Sequence, residues 1–373
     1  MPHPGRVAVM TKIPQRLDAL IDCFAQHPVD GLIRNLSTRL ERLDVAGQAL
    51  PITINDGATV GNCYICDPVT GYTDYAIEET RNFISKPLLR KAFIGMINGS
   101  AILVRASGLD RAVHINNWLF STNPAPTITR DMAVALRDQL VSRFPSHSLI
   151  LRSLNSYADK DAMHVLVGQG FHLLPLRQIY LFDGRNSVQL SKDMKSDRAL
   201  SRKTPHQEVG NEDFAPDDYA QCIMLYEQLY LEKYTPLNPQ YTATYLAEMH
   251  KSGVLTLQGL RSATGELVAV GGRFQYAHTL TQPLLGYDTT RPQSEGLYRL
   301  ITHIAQRDAK TEGLLFNMSA GAAGFKRNRC AVPAIEFSAV YTRHLSRKRR
   351  MAVRCVASIL SGVGVPILKR YKL

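Results

Sequence analysis

The sequence predicts an α/β (α+β) chain made of two tandem halves. Three observations point there. A chain of 373 residues is too long for one ordinary domain and fits two. With 45% hydrophobic and 20% charged residues and no long low-complexity tract, it can bury a sizeable core. The order strand, loop, helix, strand, helix, strand reads across residues 113–182 and again across 267–341, at low identity between the two stretches.

Residues 12–25 and 29–43 read as helical, with Leu17, Leu20, Ile21 and Phe24 at helical spacing. Pro51–Ile54 predicts a short strand. Residues 77–97 predict a helix in two pieces around Pro87, and Ala101–Arg105 a strand. Val113–Thr122 reads as strand and Asn123–Thr127, with its two prolines, as loop. Arg130–Phe144 is an amphipathic helix with the apolar stripe Met132, Ala135, Leu136, Leu140 and Val141. A strand at Leu149–Arg152, a helix at Ala158–Gly168 and a strand at Arg177–Phe182 complete the first half.

Residues 184–216 are rich in charge and turn formers and read as the inter-domain region, helical around Asp193–Ser201. Helices follow at Asp217–Glu232 and Tyr241–Ser252, the first with Tyr219, Leu225, Tyr226, Leu229 and Tyr230 on one broad face. Strands are expected at Gly253–Leu260, Leu267–Tyr276 and Leu280–Tyr287, with a hairpin turn at Ser262–Gly265. Beyond Tyr287 come a loop, a helix, a strand, a Gly/Ala-rich turn, a basic helix and the strand Ala334–Tyr341. The boundaries are 1–97 for the N-terminal helical and strand region of the first domain and 98–183 for its first tandem half. They continue as 184–216 between the domains, 217–342 for the second domain and 343–373 for a basic amphipathic tail.

The net charge of +12 is uneven. Nine Lys/Arg and no Asp or Glu fall in 343–373, which leaves 35 basic against 32 acidic residues and a net of +3 in 1–342. Such a tail suits anionic lipid, nucleic acid or an acidic carrier protein. Its apolar run, 351–368, is about the minimum length to cross a bilayer, but Arg354, Gly362, Gly364 and Pro366 interrupt it. A reversible seat on an anionic membrane surface is therefore expected rather than a span. Of six cysteines only Cys63 and Cys66 lie close, and no second pair or His set follows at zinc spacing, so no metal is expected. Scattered cysteines and an N-terminus without a signal-peptide core point to the cytoplasm, at the inner face of the membrane where the tail engages it.

The loop Arg291–Gly296 opens a helix with no acidic residue after Glu295. Backbone N–H groups at a helix start are free and partly positive, so they can hold a phosphate. Arg291 can pair with that anion or stay a solvated loop charge. Gln293 and Ser294 add side-chain donors, Gly296 permits close backbone approach, and Leu297 starts the helix; the plainer role is an N-cap by Ser294. Asn317–Gly324 is a small-residue turn with a hydroxyl at Ser319, followed by Lys326, Arg327 and Arg329. These cations suit a carboxylate, a phosphate or a tRNA end; otherwise they are solvated charges on a packed junction. Glu336, between Ile335 and Phe337, is either a buried base with a raised pKa or the polar face of an alternating strand. No Ser/His/Asp order, HExxH or full P-loop appears.

Residues 190–350 resemble a GNAT acyltransferase domain, in the tandem-domain branch related to Fem-type aminoacyl transferases. The motifs are LYEQLYLEKYTPLNPQY (225–241), GLRSATGELVAVGGRFQY (259–276), PLLGYDTTRPQSEGLYR (283–299) and NMSAGAAGFKRNR (317–329). Residues 98–183 resemble a degenerate GNAT half through WLFSTNPAP, LRDQLVSRFP and VGQGFHLL. The resemblance implies two tandem GNAT-like domains, each a twisted mixed sheet flanked by helices. It implies acyl transfer from an acyl-CoA or acyl carrier protein thioester to a small amine or hydroxyl acceptor. Asp288 would take the acceptor proton and Tyr287 would protonate the leaving thiolate, unless Asp288 only forms a turn. Tyr230, Lys233 and Tyr234 would lie near the acceptor groove, unless Lys233 only answers the helix dipole. The family phosphate loop, Gln/Arg-x-x-Gly-x-Gly/Ala, fits loosely. Arg291 and Gly296 are five apart and Tyr298 replaces the second small residue, which favours a larger donor such as a carrier protein or tRNA. The alternatives are a Fem-like aminoacyl-tRNA-dependent transferase and a non-catalytic membrane-surface module.

Overall fold

The computed structural model describes residues 4–57, 61–186 and 189–371. It divides into two units that are not consecutive in sequence. The first unit is Asn35–Ile179 with Ala334–Leu373, and the second is Met1–Arg34 with Tyr180–Pro333.

The chain opens with helices α1 (Pro4–Gln26) and α2 (Val29–Leu32), which belong to the second unit. The first unit then begins with strands β1 (Arg39–Val45) and β2 (Gln48–Asp56), paired antiparallel with Val45 opposite Gln48. Ala46 and Gly47 both take positive φ, the geometry of a two-residue hairpin turn. The helix expected over 29–43 therefore stops at Leu32. Residues 39–45 become a strand because pairing with β2 puts Leu43 and Val45 into the core, which outweighs local helical spacing.

Next come α3 (Pro68–Thr70), a π turn (Gly71–Tyr75) and α4 (Ala76–Phe83), then α5 (Pro87–Ala106). The strand expected at Ala101–Arg105 is the end of α5, where Ala101 and Val104 are buried at helical spacing. Strand β3 (Arg111–Ile115), α6 (Arg130–Arg143), β4 (Ser148–Asn155), α7 (Lys160–Gly168) and β5 (His172–Asp183) follow. Every residue of β4 is buried. Leu149 and Leu151 join one core with Met132, Leu136 and Leu140 of α6, while Ile150 joins another with Val104 and Leu109. Period-two alternation thus feeds both faces of one sheet.

The second unit continues with α8 (Lys192–Lys203), β6 (Gln207–Val209), α9 (Asp218–Glu227) with a π turn at Gln228–Glu232, and α10 (Ala243–Lys251). It adds β7 (Thr256–Arg261), β8 (Leu267–Tyr276), β9 (Thr279–Tyr287), α11 (Leu297–Thr311), β10 (Leu315–Asn317) and α12 (Ala323–Arg327). Strand β11 (Val332–Tyr341) then returns the chain to the first unit, where α13 (Arg347–Ile359), a π turn (Leu360–Gly364) and α14 (Val365–Tyr371) end the described residues.

The two units repeat one pairing plan. In the first, β1–β2 and β2–β3 are antiparallel, β3–β4 parallel and β4–β11 antiparallel. In the second, β7–β8 and β8–β9 are antiparallel, β9–β10 parallel and β10–β5 antiparallel. Each parallel pair is bridged by a helix, α6 or α11. The final strand of each plan comes from the other part of the chain. Residues Leu181–Asp183 of β5 pair with β10, and Glu336–Tyr341 of β11 pair with β4. The chain is thus a mixed α/β protein whose strands pair both parallel and antiparallel and are flanked by helices.

This exchange changes the domain boundaries read from the sequence. Residues 343–373 are not a tail on 217–342. Val353 and Val356 complete a first-unit core with Ile150, Leu174 and Val340. The tail is also continuous helix from Arg347 to Tyr371, not a run broken at Gly362, Gly364 and Pro366. The π turn Leu360–Gly364 lies just before Pro366 and widens the helix there, which accommodates a proline that lacks the N–H of a regular helix interior. Lys372 lies outside the described residues.

Candidate functional site

In the second unit, β9 delivers the chain to a loop and then to α11. Tyr287 ends β9, and the Asp288 side chain accepts from the Thr290 amide (3.0 Å) and hydroxyl (2.6 Å), which sets the turn. A short 3-10 turn, Gln293–Glu295, leads to Gly296 at φ 67°, a left-handed conformation that favours glycine. Gly296 occupies the N-cap of α11, and among the described residues no side chain caps that helix. The first-turn amides of α11 therefore lack both an intrahelical partner and a capping oxygen.

The opposite wall comes from α9 and its π turn. The α9 backbone lies so close to β9 that a Cβ at Gly286 would run into the Leu225 backbone. That approach brings Gln228, Glu232 and Lys233 over the end of β9. The result is a cavity of about 510 Å³ bordered by Lys233, Tyr287, Asp288, Arg291, Gln293 and Gly296, with Leu297, Tyr298 and Arg299 at the helix start.

Charges here are mostly compensated. Arg291 meets Glu295 at 3.2 Å and Asp288 at 3.5 Å, and Arg299 meets Asp197 at 2.7 Å. Among the described residues Lys233 has no carboxylate partner. Its Nζ donates to the Tyr287 phenol oxygen at 3.3 Å and lies 5.9 Å from that ring. Burial first, then the phenols of Tyr230, Tyr234 and Tyr287, push the Tyr298 phenol well above its ordinary value, so it stays a neutral hydroxyl. Tyr230 and Tyr234 stand 6.1 Å apart, ring to ring, behind the cavity wall and pack on the Leu229, Leu285 and Leu297 core.

The equivalent loop of the first unit, between β3 and α6, is filled by its own chain. Trp118, Leu119 and Phe120 are buried there. Asn117 donates to Thr53 and to the Ile65 carbonyl, and Arg152 and Arg177 both donate to the Ser121 carbonyl. The Thr129 hydroxyl caps α6 by accepting from the Met132 amide at 3.2 Å. One helix start is open and uncapped, and its counterpart is closed and capped.

Several solved structures align with this chain at low identity. FemX aligns at a TM-score of 0.48 with 7% identity, over 86% of this chain and 95% of that one. The C-terminal domain (DUF2156) of a putative lysylphosphatidylglycerol synthetase from Agrobacterium fabrum aligns at 0.47 with 13% identity, over 70% and 91%. A tandem GNAT protein from the clavulanic acid biosynthesis pathway aligns at 0.36 with 12% identity, over 61% and 75%. No family model and no curated protein matches the sequence.

The remaining candidates fall elsewhere. Ser294 is exposed in the 3-10 turn and does not border the cavity. Lys326 is buried, and its ammonium donates to the carbonyls of Ser319 (3.3 Å) and Ala320 (2.6 Å). It holds the small-residue turn rather than facing a ligand, and Ser319, at φ 60°, is part of what it holds. Arg327 is exposed, 6.0 Å from the Tyr180 ring. Arg329 is buried against Asp197, at 2.5 and 3.0 Å. Glu336 belongs to the first unit, fully buried against Arg177 at 3.0 Å. Although burial works against it, the Glu336 carboxylate holds the Arg177 guanidinium more firmly protonated than usual. Such a paired carboxylate is a structural ion pair rather than a free base. Among the described residues no three His, Cys, Asp or Glu side chains converge as a metal ion needs.

Gln228, Thr289 and Arg299 border the cavity and lie inside the sequence motifs without being singled out as site residues, and Tyr298 stands out only as the replacement for a small residue of the phosphate loop. Asp197, which orients Arg299 and Arg329 together, sits in the charged stretch read as inter-domain.

Proposed function

We propose that the chain is a transferase that moves an acyl group from a thioester donor, acyl-CoA or an acyl carrier protein, to an amine or hydroxyl. The reaction would take place in the second-unit cavity. The observation that carries this is the contrast between the two repeats. The loop before α11 leaves a helix start with no side-chain cap, beside a lysine with no carboxylate ion pair among the described residues, whereas the loop before α6 is plugged and capped. An anion such as a pyrophosphate or phosphopantetheine phosphate suits the first and has no room in the second.

Within the cavity the donor phosphate sits on the α11 amides. Lys233 and Tyr287 form the reacting pair. The ammonium donates to the phenol oxygen, so the phenol proton goes to the departing thiolate, and the phenolate, steadied by the positive charge, recovers a proton from the acceptor nitrogen or oxygen as the new amide or ester forms. Arg291 is braced by Asp288 and Glu295 and shapes the loop more than it adds net charge. Tyr230 and Tyr234, which do not border the cavity, support the acceptor side from the core. A cytoplasmic location goes with this donor chemistry.

The test is thiol release and product mass. Full-length protein is incubated with acyl-CoA, acyl carrier protein or aminoacyl-tRNA and a panel of amines and alcohols. Turnover with a thioester, lost in Tyr287→Phe and Lys233→Ala, supports the assignment. Turnover with aminoacyl-tRNA alone would move the donor to the Fem-like alternative. No covalent product with any donor would leave a binding module.

A further inference from the structure

Helices α5 and α13–α14 form a face of the first unit that the transfer reading does not use. They are tied together. Arg349 donates to the carbonyls of Ser107 (3.2 Å), Ser146 (2.7 Å) and Gly108, which pins the start of α13 to the end of α5. Further along, the rings of Phe93 and Tyr371 meet edge to face at 5.4 Å.

Each helix buries one side and exposes an apolar one. On α5, Ala101 and Val104 are buried, while Leu88 is 84% and Ile102 72% exposed. On the C-terminal helix Val353 and Val356 are buried, while Met351, Ile359 and Val363 are exposed. Singly exposed apolar residues are ordinary, but a row on two paired helices marks an interaction surface. Charge indicates the partner. Neither helix contains Asp or Glu. Arg90, Lys91 and Arg105 lie on α5, and Arg347, Lys348, Arg350, Arg354, Lys369 and Arg370 on the C-terminal helix. Apolar residues among cations, with no acid, fit an anionic phospholipid surface.

The same helices enclose a cavity. It measures about 150 Å³ and lies against the π turn Gly71–Tyr75 and α4, with Phe93, Ile97, Leu176, Leu360, Ile367 and Leu368 on its walls together with the charged Glu79 and Arg177. Apolar side chains make up most of its lining, which suits the end of a hydrocarbon chain. Both helices are long and apolar enough to cross a bilayer, with 20 residues in α5 and 25 in Arg347–Tyr371. Their buried sides belong to the first-unit core, however, so each presents one face rather than its whole circumference.

We propose that this face seats on an anionic phospholipid surface and that the cavity receives the end of one acyl chain. The apolar row lies at headgroup depth and the cations meet lipid phosphates. Removing 343–373 would not test this cleanly, because Val353 and Val356 would leave the core with it.

Full-length protein is instead floated with phosphatidylcholine vesicles, with and without phosphatidylglycerol. Binding to lysophosphatidylglycerol, below its micelle concentration, is measured by titration calorimetry. Flotation only with the anionic vesicles, reversed by high salt and lost in Leu88→Glu/Ile102→Glu, supports the seat. A tenfold or greater loss of lysophosphatidylglycerol affinity in Ser100→Trp, which fills the cavity, supports the chain site. If Ser100→Trp does not fold, Val363→Glu at the exposed rim is the second variant, with the same expected loss. Equal flotation on both vesicle types, or resistance to carbonate extraction, overturns the seat. Unchanged lysophosphatidylglycerol binding in a folded cavity variant overturns the chain site.

Discussion

The uncapped start of α11 can be tested by charge alone, through a pair of substitutions at Gly296. A side chain there faces two penalties. The φ of 67° is unfavourable to most residues, and a Cβ would lie 2.6 Å from the Leu200 Cδ2, which must swing aside. Asparagine and aspartate are the residues that best tolerate this conformation and the best N-caps, so both strain and capping nearly cancel between them. What differs is one negative charge beside the proposed donor phosphate. Two unit charges at 4 Å interact by about 1 kcal/mol in water and about 4 kcal/mol at an effective dielectric of 20. The cavity is open, so the lower part of that range applies, and Gly296→Asp should bind coenzyme A about tenfold more weakly than Gly296→Asn. Titration calorimetry at low ionic strength measures this, and the gap should shrink in high salt. Thermal unfolding of the two variants checks that they are equally folded. Equal affinity of the two folded variants, at low salt, would remove the helix start from the donor site.

Further outcomes follow from other positions. Lys326→Ala should cost about 1–3 kcal/mol of stability in denaturant titration, because two turn carbonyls lose their donor, while Arg327→Ala should stay within about 0.5 kcal/mol. Glu336→Ala should cost about 3–5 kcal/mol by leaving Arg177 buried and unpaired, and equal stability would mean the pair is relaxed by water. Burial and then Arg152 push His114 down to about 3 from 6.5, and neither ring nitrogen has a hydrogen-bond partner among the described residues. The unfolded ring takes its proton first as pH falls. The neutral ring's contribution is therefore complete above about 6.5 and is lost between there and about 3. His114→Leu should flatten that limb of the stability–pH curve, and an unchanged curve would refute the assignment.

Periodicity made most of the second unit legible. The strands at 267–276 and 279–287 and the helix over 297–311 were predicted within a few residues, because their apolar spacing and their turns agree. The first β-hairpin was missed, since 29–43 has helical spacing and only pairing with β2 makes 39–45 a strand. The cavity residues Lys233, Tyr287, Asp288, Arg291, Gln293, Gly296 and Leu297 were all singled out from the loop and the helix end. Lys326 and Glu336 were also singled out, but nothing local shows that one ammonium faces inward on two carbonyls or that one carboxylate meets Arg177 across 159 positions. Charge read along a chain does not reveal whether it is already paired.

The segment 184–216 shows where that limit matters most. Its composition is that of a linker, yet α8 within it supplies Asp197, which reaches both Arg299 at the start of α11 and Arg329 after α12. It also supplies Leu200, the side chain nearest to where a Cβ on Gly296 would stand. A buried carboxylate shared by two arginines fixes their directions only while both remain. The helix start, the basic helix and the supposed linker therefore behave as one braced element around the cavity. The exchange of β5 and β11 carries the same logic to the scale of the sheet. Each repeat is completed by a strand that chain order assigns to the other, so cutting at residue 184 or 343 would unpair a strand or strip a core instead of freeing a domain.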